Sequence, residues 1–384
     1  MIFKKISMIR PVSLICAVFL ILSLVSCGDT ESAVESGSDV GYGVQTAAVL
    51  NIALVRDGDT YAYAAENESA SDALSAFAKE RGFACSEYTA DSPSEESRLG
   101  SINTAITLGA NVVVCVGRYM QKAVMTAQNK YPGASFLIVC GEEPDGEEVL
   151  AENTHCILFR EEDAGYVAGH IALYEGSRTP AFFAFSEVPL AVRCFGGFLA
   201  SVSDAAKELG ADGVRVICSM NNDTMLFDDV EDDEIPLSAH SSDELFEHGA
   251  DHIVAMGAQV TVSEEPSYLN GTRVTPICFE TDDVYGVFTG YPRYDCGSVT
   301  VKALERLSSN GGKWSVRDAG VCGREGLAEG GITVAVPEGK ECSFGMDELE
   351  KLADKAAKGE IRIPLCENTE DIVQGDVPVV YIGE

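Results

Sequence analysis

Residues 112–140 read VVVCVGRYMQKAVMTAQNKYPGASFLIVC. The apolar run Val112–Val116 ends at Gly117, a stretch with apolar residues at helical spacing follows over Gln121–Lys130, and a second apolar run covers Ser135–Val139. Short continuous apolar runs fit strands buried on both faces, and three- and four-residue apolar spacing fits a helix packed along one side. Strand, helix, strand in this order predicts a parallel pair joined by a crossover. The same alternation extends outward. Further strand-like runs are Val49–Val55, Ala181–Phe185, Val214–Cys218, His252–Met256 and Thr275–Phe279. Helical patterns cover Asp72–Arg81, Leu99–Leu108, Ala164–Tyr174, Phe195–Leu209 and Ser241–His248. Several of these end at a glycine (Gly82, Gly109, Gly210, Gly249), the residue that best tolerates a left-handed cap. The fold class expected is α/β, with parallel sheets covered by helices on both faces.

In open sheets of this kind, ligands bind beyond the carboxyl ends of the strands. That rule selects Arg56-Asp57-Gly58-Asp59, Gly117-Arg118-Tyr119, Cys140-Gly141-Glu142, Ser186-Glu187, Gly257-Ala258-Gln259 and Glu280-Thr281-Asp282-Asp283. Two sheets facing one another would bring these turns into one cleft.

The chain begins with Lys4, Lys5 and Arg10, then an apolar run from Val12 to Val25, then Leu24-Val25-Ser26-Cys27. A basic start, a short apolar core and small residues before a cut describe a secretory signal, and the run is short for a membrane span. Leu-Val-Ser-Cys resembles the bacterial lipobox, which implies a signal peptide over 1–26 and a lipidated Cys27. Residues 27–47 are rich in Gly, Ser, Asp, Glu and Thr, so a flexible tether is expected there. The remaining length suits two lobes. Their expected extents are 48–157 with 280–318, and 158–279 with 319–384. The place expected is the outer face of a cell membrane, held by lipid.

The formal charge is −34, and it is more acidic still once the leader's basic residues are gone. Nucleic acid is therefore not an expected partner, since its phosphates need a basic footprint. Thirteen cysteines would suit a disulfide framework, yet Cys115, Cys140, Cys218 and Cys278 lie in or at the ends of apolar runs, where a thiol packs as a small hydrophobe. No Cys-x-x-Cys pair occurs, and eleven cysteines remain without Cys16 and Cys27, so mostly free thiols are expected.

A family resemblance rests on several segments in order. Phe159-Arg-Glu-Glu-Asp-Ala-Gly-Tyr-Val-Ala-Gly169 resembles the F-x-x-x-x-x-G-Y-L-A-G signature of basic-membrane-protein lipoproteins, the PnrA-like group. Pro189 through Phe195-Gly-Gly-Phe198, Asn129-Lys-Tyr-Pro132 before Phe136–Val139, Gly249-Ala-Asp-His-Ile253, and Lys313-Trp314 with Gly320–Gly331 are similar to later segments of that family. The resemblance covers Asn51 to about Val336. It implies a periplasmic-binding-protein type I fold, two lobes joined by a hinge, that closes on a nucleoside and serves an ABC importer with a separate permease and ATPase. It also carries Asn67 over from an early D-D-x-S-F-N element, with Glu66 standing where the family has Phe. Arg118 stands for a base-stacking aromatic, beside Tyr119; Cys140 stands for an aspartate, and Arg293 for a lysine.

The ligand-binding residues expected are Asp57, Asp59, Asn67, Tyr119, Gly141, Gly257, Glu280, Asp282 and Arg293. Carboxylates accept hydroxyl hydrogen bonds strongly, so Asp57, Asp59, Glu280 and Asp282 fit a ribose or polyol, against ordinary solvated acids. Tyr119 offers a ring face to a planar ligand, against simple packing on its own lobe. Arg293 offers a planar fork to a ligand or to the carboxylates. No cofactor is expected. His248 and His252 are four apart, a zinc-like spacing, but Gly249 between them turns the chain and parts the rings, so no metal site is expected. The acidic stretch Asp228–Glu234 lacks the pattern of a calcium loop. With no nucleophile elbow, Walker-type loop or Gly-x-Gly-x-x-Gly after the first strand, no catalysis is expected. Other readings are a sensor docking on a membrane signalling receptor, or a binder of a sugar or other small polar ligand.

Overall fold

The structure, a computed structural model, describes residues 48–58, 63–146, 148–184, 188–220, 244–256, 273–277, 290–337, 339–373 and 375–382. They lie in the compact unit Gln45–Glu384.

The chain opens with β1 (Asn51–Arg56), α1 (Ala64–Arg81), β2 (Ala84–Thr89), α2 (Glu95–Thr107), β3 (Val112–Val116), α3 (Gln121–Lys130), β4 (Ser135–Val139) and β5 (Thr154–Phe159). It continues with α4 (Glu161–Tyr174), β6 (Pro180–Ala184), α5 (Pro189–Leu209), β7 (Val216–Met220), β8 (His252–Met256) and β9 (Arg273–Ile277). Last come β10 (Tyr291–Tyr294), α6 (Cys296–Ser309), β11 (Val321–Glu325), β12 (Ile332–Ala335), α7 (Met346–Ala357) and β13 (Val379–Tyr381).

Two parallel sheets result. One has the order β11-β5-β4-β3-β1-β2 and the other β13-β7-β6-β8-β9. Side chains alternate across a strand, and both faces of the first sheet are covered. Ile52, Leu54, Val112, Val114, Leu137, Val139, Ile157 and Phe159 pack with α1 and α6 on one face. Ala53, Val55, Val113, Cys115, Phe136, Ile138, Cys156 and Leu158 pack with α2 and α3 on the other. Continuous apolar runs such as Val112–Val116 follow from this double burial. In the second sheet Phe182, Val216, Cys218 and Val254 face α4 and α5, while Ala181, Phe183, Ile217 and Ile253 face the opposite side.

The chain passes between the lobes at Arg160 and after Glu325. Strands β10 and β12 pair antiparallel, Tyr294 opposite Ile332. The crossings are clasped to one another. Phe159 stacks on Tyr294 with ring centroids 4.3 Å apart. The Arg160 amide donates to the Glu325 carbonyl at 3.1 Å. The Leu327 amide donates to Asp163 Oδ2 at 2.7 Å, in a pocket whose burial pushes the Asp163 carboxyl up to about 6.

Helices begin earlier than apolar spacing predicts: α1 at Ala64 instead of Asp72, and α5 at Pro189 instead of Phe195. The first turns of α1 are small and polar and carry no period, while Pro189 is pre-set for a first helical position. The expected cap glycines Gly82, Gly109, Gly210 and Gly249 all have positive φ. Sequence reading missed β2, whose residues are mostly exposed, β5, which is buried throughout but whose apolar run is cut short by Thr154 and His155, and the elements after Gly290, where Pro292 and Gly297 interrupt the pattern. One expected boundary is corrected. Strand β11 joins the first sheet beside β5, so that lobe extends past residue 318 to Glu325.

Candidate functional site

The carboxyl ends of β1, β3, β4 and β5 form a floor at one edge of the first sheet. Asp57, directly after β1, is 4% exposed and forms a two-pronged ion pair with Arg98 of α2, Nε to Oδ1 at 2.8 Å and Nη2 to Oδ2 at 2.7 Å. Both its oxygens are thus engaged by a guanidinium. The hydroxyl-holding role expected for Asp57 gives way to an arginine-anchoring one.

Arg98 lies over the Tyr119 ring, 5.7 Å from its centroid, and Arg118 lies over the same ring at 5.2 Å. Arg118 also donates to the Tyr119 hydroxyl at 3.3 Å, a bond that holds its own charge more firmly. Tyr119 is 42% exposed and meets Tyr63 edge to face, with centroids 6.0 Å apart. The Tyr63 ring lies against Gly117, where a Cβ would come within 2.9 Å of ring carbon Cγ, so Gly117 makes room for it. Burial pushes the Tyr63 phenol well up, and it stays protonated.

Asn67 sits in the first turns of α1, 4% exposed. Its Nδ2 donates to the Tyr63 carbonyl at 2.8 Å, while Oδ1 is buried with no partner among the described residues. A buried acceptor left without a donor costs roughly 1–3 kcal/mol, so this oxygen is suited to a donor from a ligand. Gly141 has no room for a side chain. A Cβ there would lie 2.9 Å from Gln121 Oε1 and 3.0 Å from Ile138 Cγ2, so packing, rather than a ligand, demands glycine. Gln121 braces this turn by donating to the Glu142 carbonyl and accepting from its amide, both at 2.9 Å.

Two residues with side chains adopt left-handed backbone in the described chain, Tyr63 (φ 58°) and Cys140 (φ 57°), and both border this floor. Such conformations cost of order 1–3 kcal/mol and gather at functional sites. Arg293 lies on β10, opposite Thr333, at the lobe junction. Asp59, Gly257, Glu280, Asp282 and Cys27 lie outside the described residues, as does the Asp228–Glu234 stretch. Of the nine expected ligand residues, Asp57, Asn67, Tyr119 and Gly141 share the floor. Sequence reading passed over Tyr63, Arg98 and Gln121. The first carries no period or motif, and the other two read as ordinary helix residues.

The two histidines turn apart. His248 Nδ1 lies 3.0 Å from the Glu244 carbonyl, and His252 Nε2 lies 2.9 Å from Thr275 Oγ1, where burial pushes the ring down to about 3. Among the described residues, no helix is long and apolar enough to cross a membrane.

The Phe159–Gly169 signature packs helices. A Cβ on Gly165 would lie 3.0 Å from Cys194 Cα and 2.8 Å from its carbonyl carbon; one on Gly197 would lie 2.7 Å from the Glu162 carbonyl carbon. A Cβ on Gly169 would meet the Ser201 side chain, 2.7 Å from its Cβ, and the Phe198 carbonyl oxygen at 2.9 Å. The glycines let α4 and α5 touch backbone to backbone.

Residues 49–221 match the Bmp family model, described as ABC transporter substrate-binding protein PnrA-like. Comparison with curated proteins gives no match. Among solved structures, an ABC transporter solute-binding protein from Conexibacter woesei DSM 14684 is 15% identical over 82% of this chain and 99% of its own, with TM-score 0.59. One from Aeropyrum pernix K1 is 16% identical over 83% and 95%, with TM-score 0.51. The arabinose-binding protein AraP from Geobacillus stearothermophilus is 13% identical over 79% and 99%, with TM-score 0.54. At these identities the likeness is one of fold: two parallel-sheet lobes joined by a hinge.

Proposed function

We propose that this chain, whose residues 49–221 match the family model of PnrA-like ABC transporter substrate-binding proteins, captures a nucleoside between its lobes outside the cell and delivers it to an importer. Binding would proceed without turnover, and a separate permease and ATPase would complete the transporter. The observation that carries the reading is the floor of the first sheet. There a half-exposed aromatic pair, Tyr63 and Tyr119, stands beside the buried Asn67 Oδ1. A planar base finds a ring face in Tyr119, and a base or sugar N–H or O–H finds an acceptor in Asn67. Arg98 is pinned by Asp57, whereas Arg118 is exposed and can swing aside to admit the base. Gly257 of the second lobe, together with Asp59, Glu280 and Asp282, would add further contacts, Arg293 stands at the junction, and closure would follow from contacts made only in the closed state.

A panel of nucleosides, free bases, sugars and amino acids, read by thermal shift, tests the ligand class. A ligand at a hundredfold excess over its dissociation constant stabilises by about 2.7 kcal/mol, a rise of several degrees. The largest rise is expected with a purine nucleoside. A rise with sugars or amino acids and none with nucleosides contradicts the specificity.

The anchoring reading rests on Leu24-Val25-Ser26-Cys27 and the Gly/Ser/acidic stretch after it. Lipid on Cys27 would hold the mature chain at the membrane surface through its tether. Cys27→Ser is expected to move the protein into the aqueous phase of a detergent partition. Unchanged membrane retention contradicts it.

A further inference from the structure

The ten cysteines in the described residues are all free thiols, yet four of them stand in two pairs. Cys140 Sγ and Cys296 Sγ are 3.4 Å apart. They lie on the α1/α6 face of the first sheet, Cys140 directly after β4 and Cys296 in the first turn of α6. Cys156 and Cys322 are register partners on β5 and β11, and both pack on the opposite, α2/α3 face. The sheet therefore separates the two pairs.

Sulfurs at 3.4 Å need only a small approach to reach the bonded distance of about 2.05 Å. Three features suit the Cys140–Cys296 pair to that bond. Cys140 is half-buried whereas Cys296 is buried, so Cys140 is the more accessible thiol of the pair. Its left-handed backbone aims its side chain from a turn, not from a ladder position. Cys296 is fully buried and fixed, because its neighbour Gly297 donates to Ser69 Oγ of α1 at 3.1 Å. Among the described residues no group of three metal-binding side chains gathers, so the pair has no third ligand for an ion.

We propose that Cys140 and Cys296 form an oxidisable dithiol at the floor of the cleft, closed to a disulfide by thiol–disulfide exchange with a small external disulfide. Cys140, the more accessible thiol, loses its proton to solvent and attacks one sulfur of the external R–S–S–R. The S–S bond breaks, R–S⁻ leaves, and a mixed disulfide remains on Cys140. Cys296 then loses its proton and attacks the Cys140 sulfur, expelling the second R–S⁻. Two protein thiols are oxidised to one disulfide and the external disulfide is reduced to two thiols.

The bond staples α6 to the end of β4 across 155 intervening residues, which constrains the unfolded chain. It also fixes the turn that carries Gly141 and Glu142. The contact with Cys296 and burial push the Cys140 thiol up, and burial pushes Cys296 up. At neutral pH both are protonated, so closure is slow there and quickens by roughly tenfold per pH unit below the attacking thiol's titration.

The test incubates the protein with 2-hydroxyethyl disulfide at pH 7 and 8. Remaining thiols are then alkylated, and peptides are mapped without reduction. A Cys140–Cys296 linked pair is the expected product, faster at pH 8, absent from Cys140→Ser and Cys296→Ser, and retained in Cys322→Ser. The linked protein is expected to melt several degrees higher and to lose that gain on adding reductant. Recovery of Cys140 in alkylated form at both pH values, or its linkage to Cys156 instead of Cys296, overturns the proposal. Because the wild-type map is itself decisive, the result does not depend on how well the variants fold.

Discussion

Along the α4–α5 seam, Gly165 and Gly197 bring two helix backbones into contact, and Gly169 makes room for the buried Ser201 side chain. On the floor of the first sheet, Tyr119 is 42% exposed, Asn67 holds an oxygen without a described donor, and Tyr63 and Cys140 keep left-handed backbone. The seam carries the segment Phe159–Gly169, which resembles the family signature; the floor carries Glu66, Arg118 and Cys140, where the resemblance breaks. The segment that carries the resemblance thus builds scaffold. The seam is selected for close approach, which tolerates no added atom. The floor keeps two left-handed residues and a buried oxygen without a described donor, features that gather at functional sites.

The largest expected effect falls on the seam. Gly165→Ala places a methyl against Cys194 backbone, which has no rotamer to give way. Overpacking of side chains costs about 1–3 kcal/mol, and a backbone collision lies at the upper end or above. A fall in melting temperature of roughly 5–10 °C is expected by calorimetry or circular dichroism. A fall below about 2 °C would show that α4 and α5 separate easily and that the signature glycines serve something other than contact.

The floor is expected to answer in the opposite sense. Tyr119→Ala removes a half-exposed ring held by two cations and one neighbouring ring, and the empty protein should lose only about 1 kcal/mol. Its effect belongs in binding.

Much of the fold is legible in the sequence because buried parallel strands must be continuously apolar. The spans Val112–Val116, Ser135–Val139 and His252–Met256 and the helix Gln121–Lys130 stand as read. Strand β5 is buried throughout yet escapes this reading, because Thr154 and His155 shorten its apolar run, and elements whose burial is partial are not legible this way. Strand β2 shows exposed residues at most positions, and β10 and β11 are held by neighbours distant in sequence. The floor is legible only in outline. The strand-end rule finds Asp57, Tyr119 and Gly141, but it cannot show that Arg98, forty-one residues from Asp57, takes both of its oxygens. Nor can it show that Gly141 is required by Gln121 and Ile138. Such pairings depend on which helix lies over which strand end, and no local pattern records them. Tyr63 is invisible for the same reason, since its place against Gly117 follows from the packing of α1.

The most direct test of the account is a calorimetric titration of a purine nucleoside into the wild-type protein, Tyr119→Ala and Gly165→Ala under one set of conditions. Loss of a base-stacking ring is worth about 1–3 kcal/mol, and 1.4 kcal/mol is tenfold in affinity. The account predicts binding to the wild type, a dissociation constant weakened about tenfold or more in Tyr119→Ala, and one changed less than about threefold in Gly165→Ala. Wild-type binding that Tyr119→Ala leaves unchanged, or no nucleoside binding at all, would contradict it.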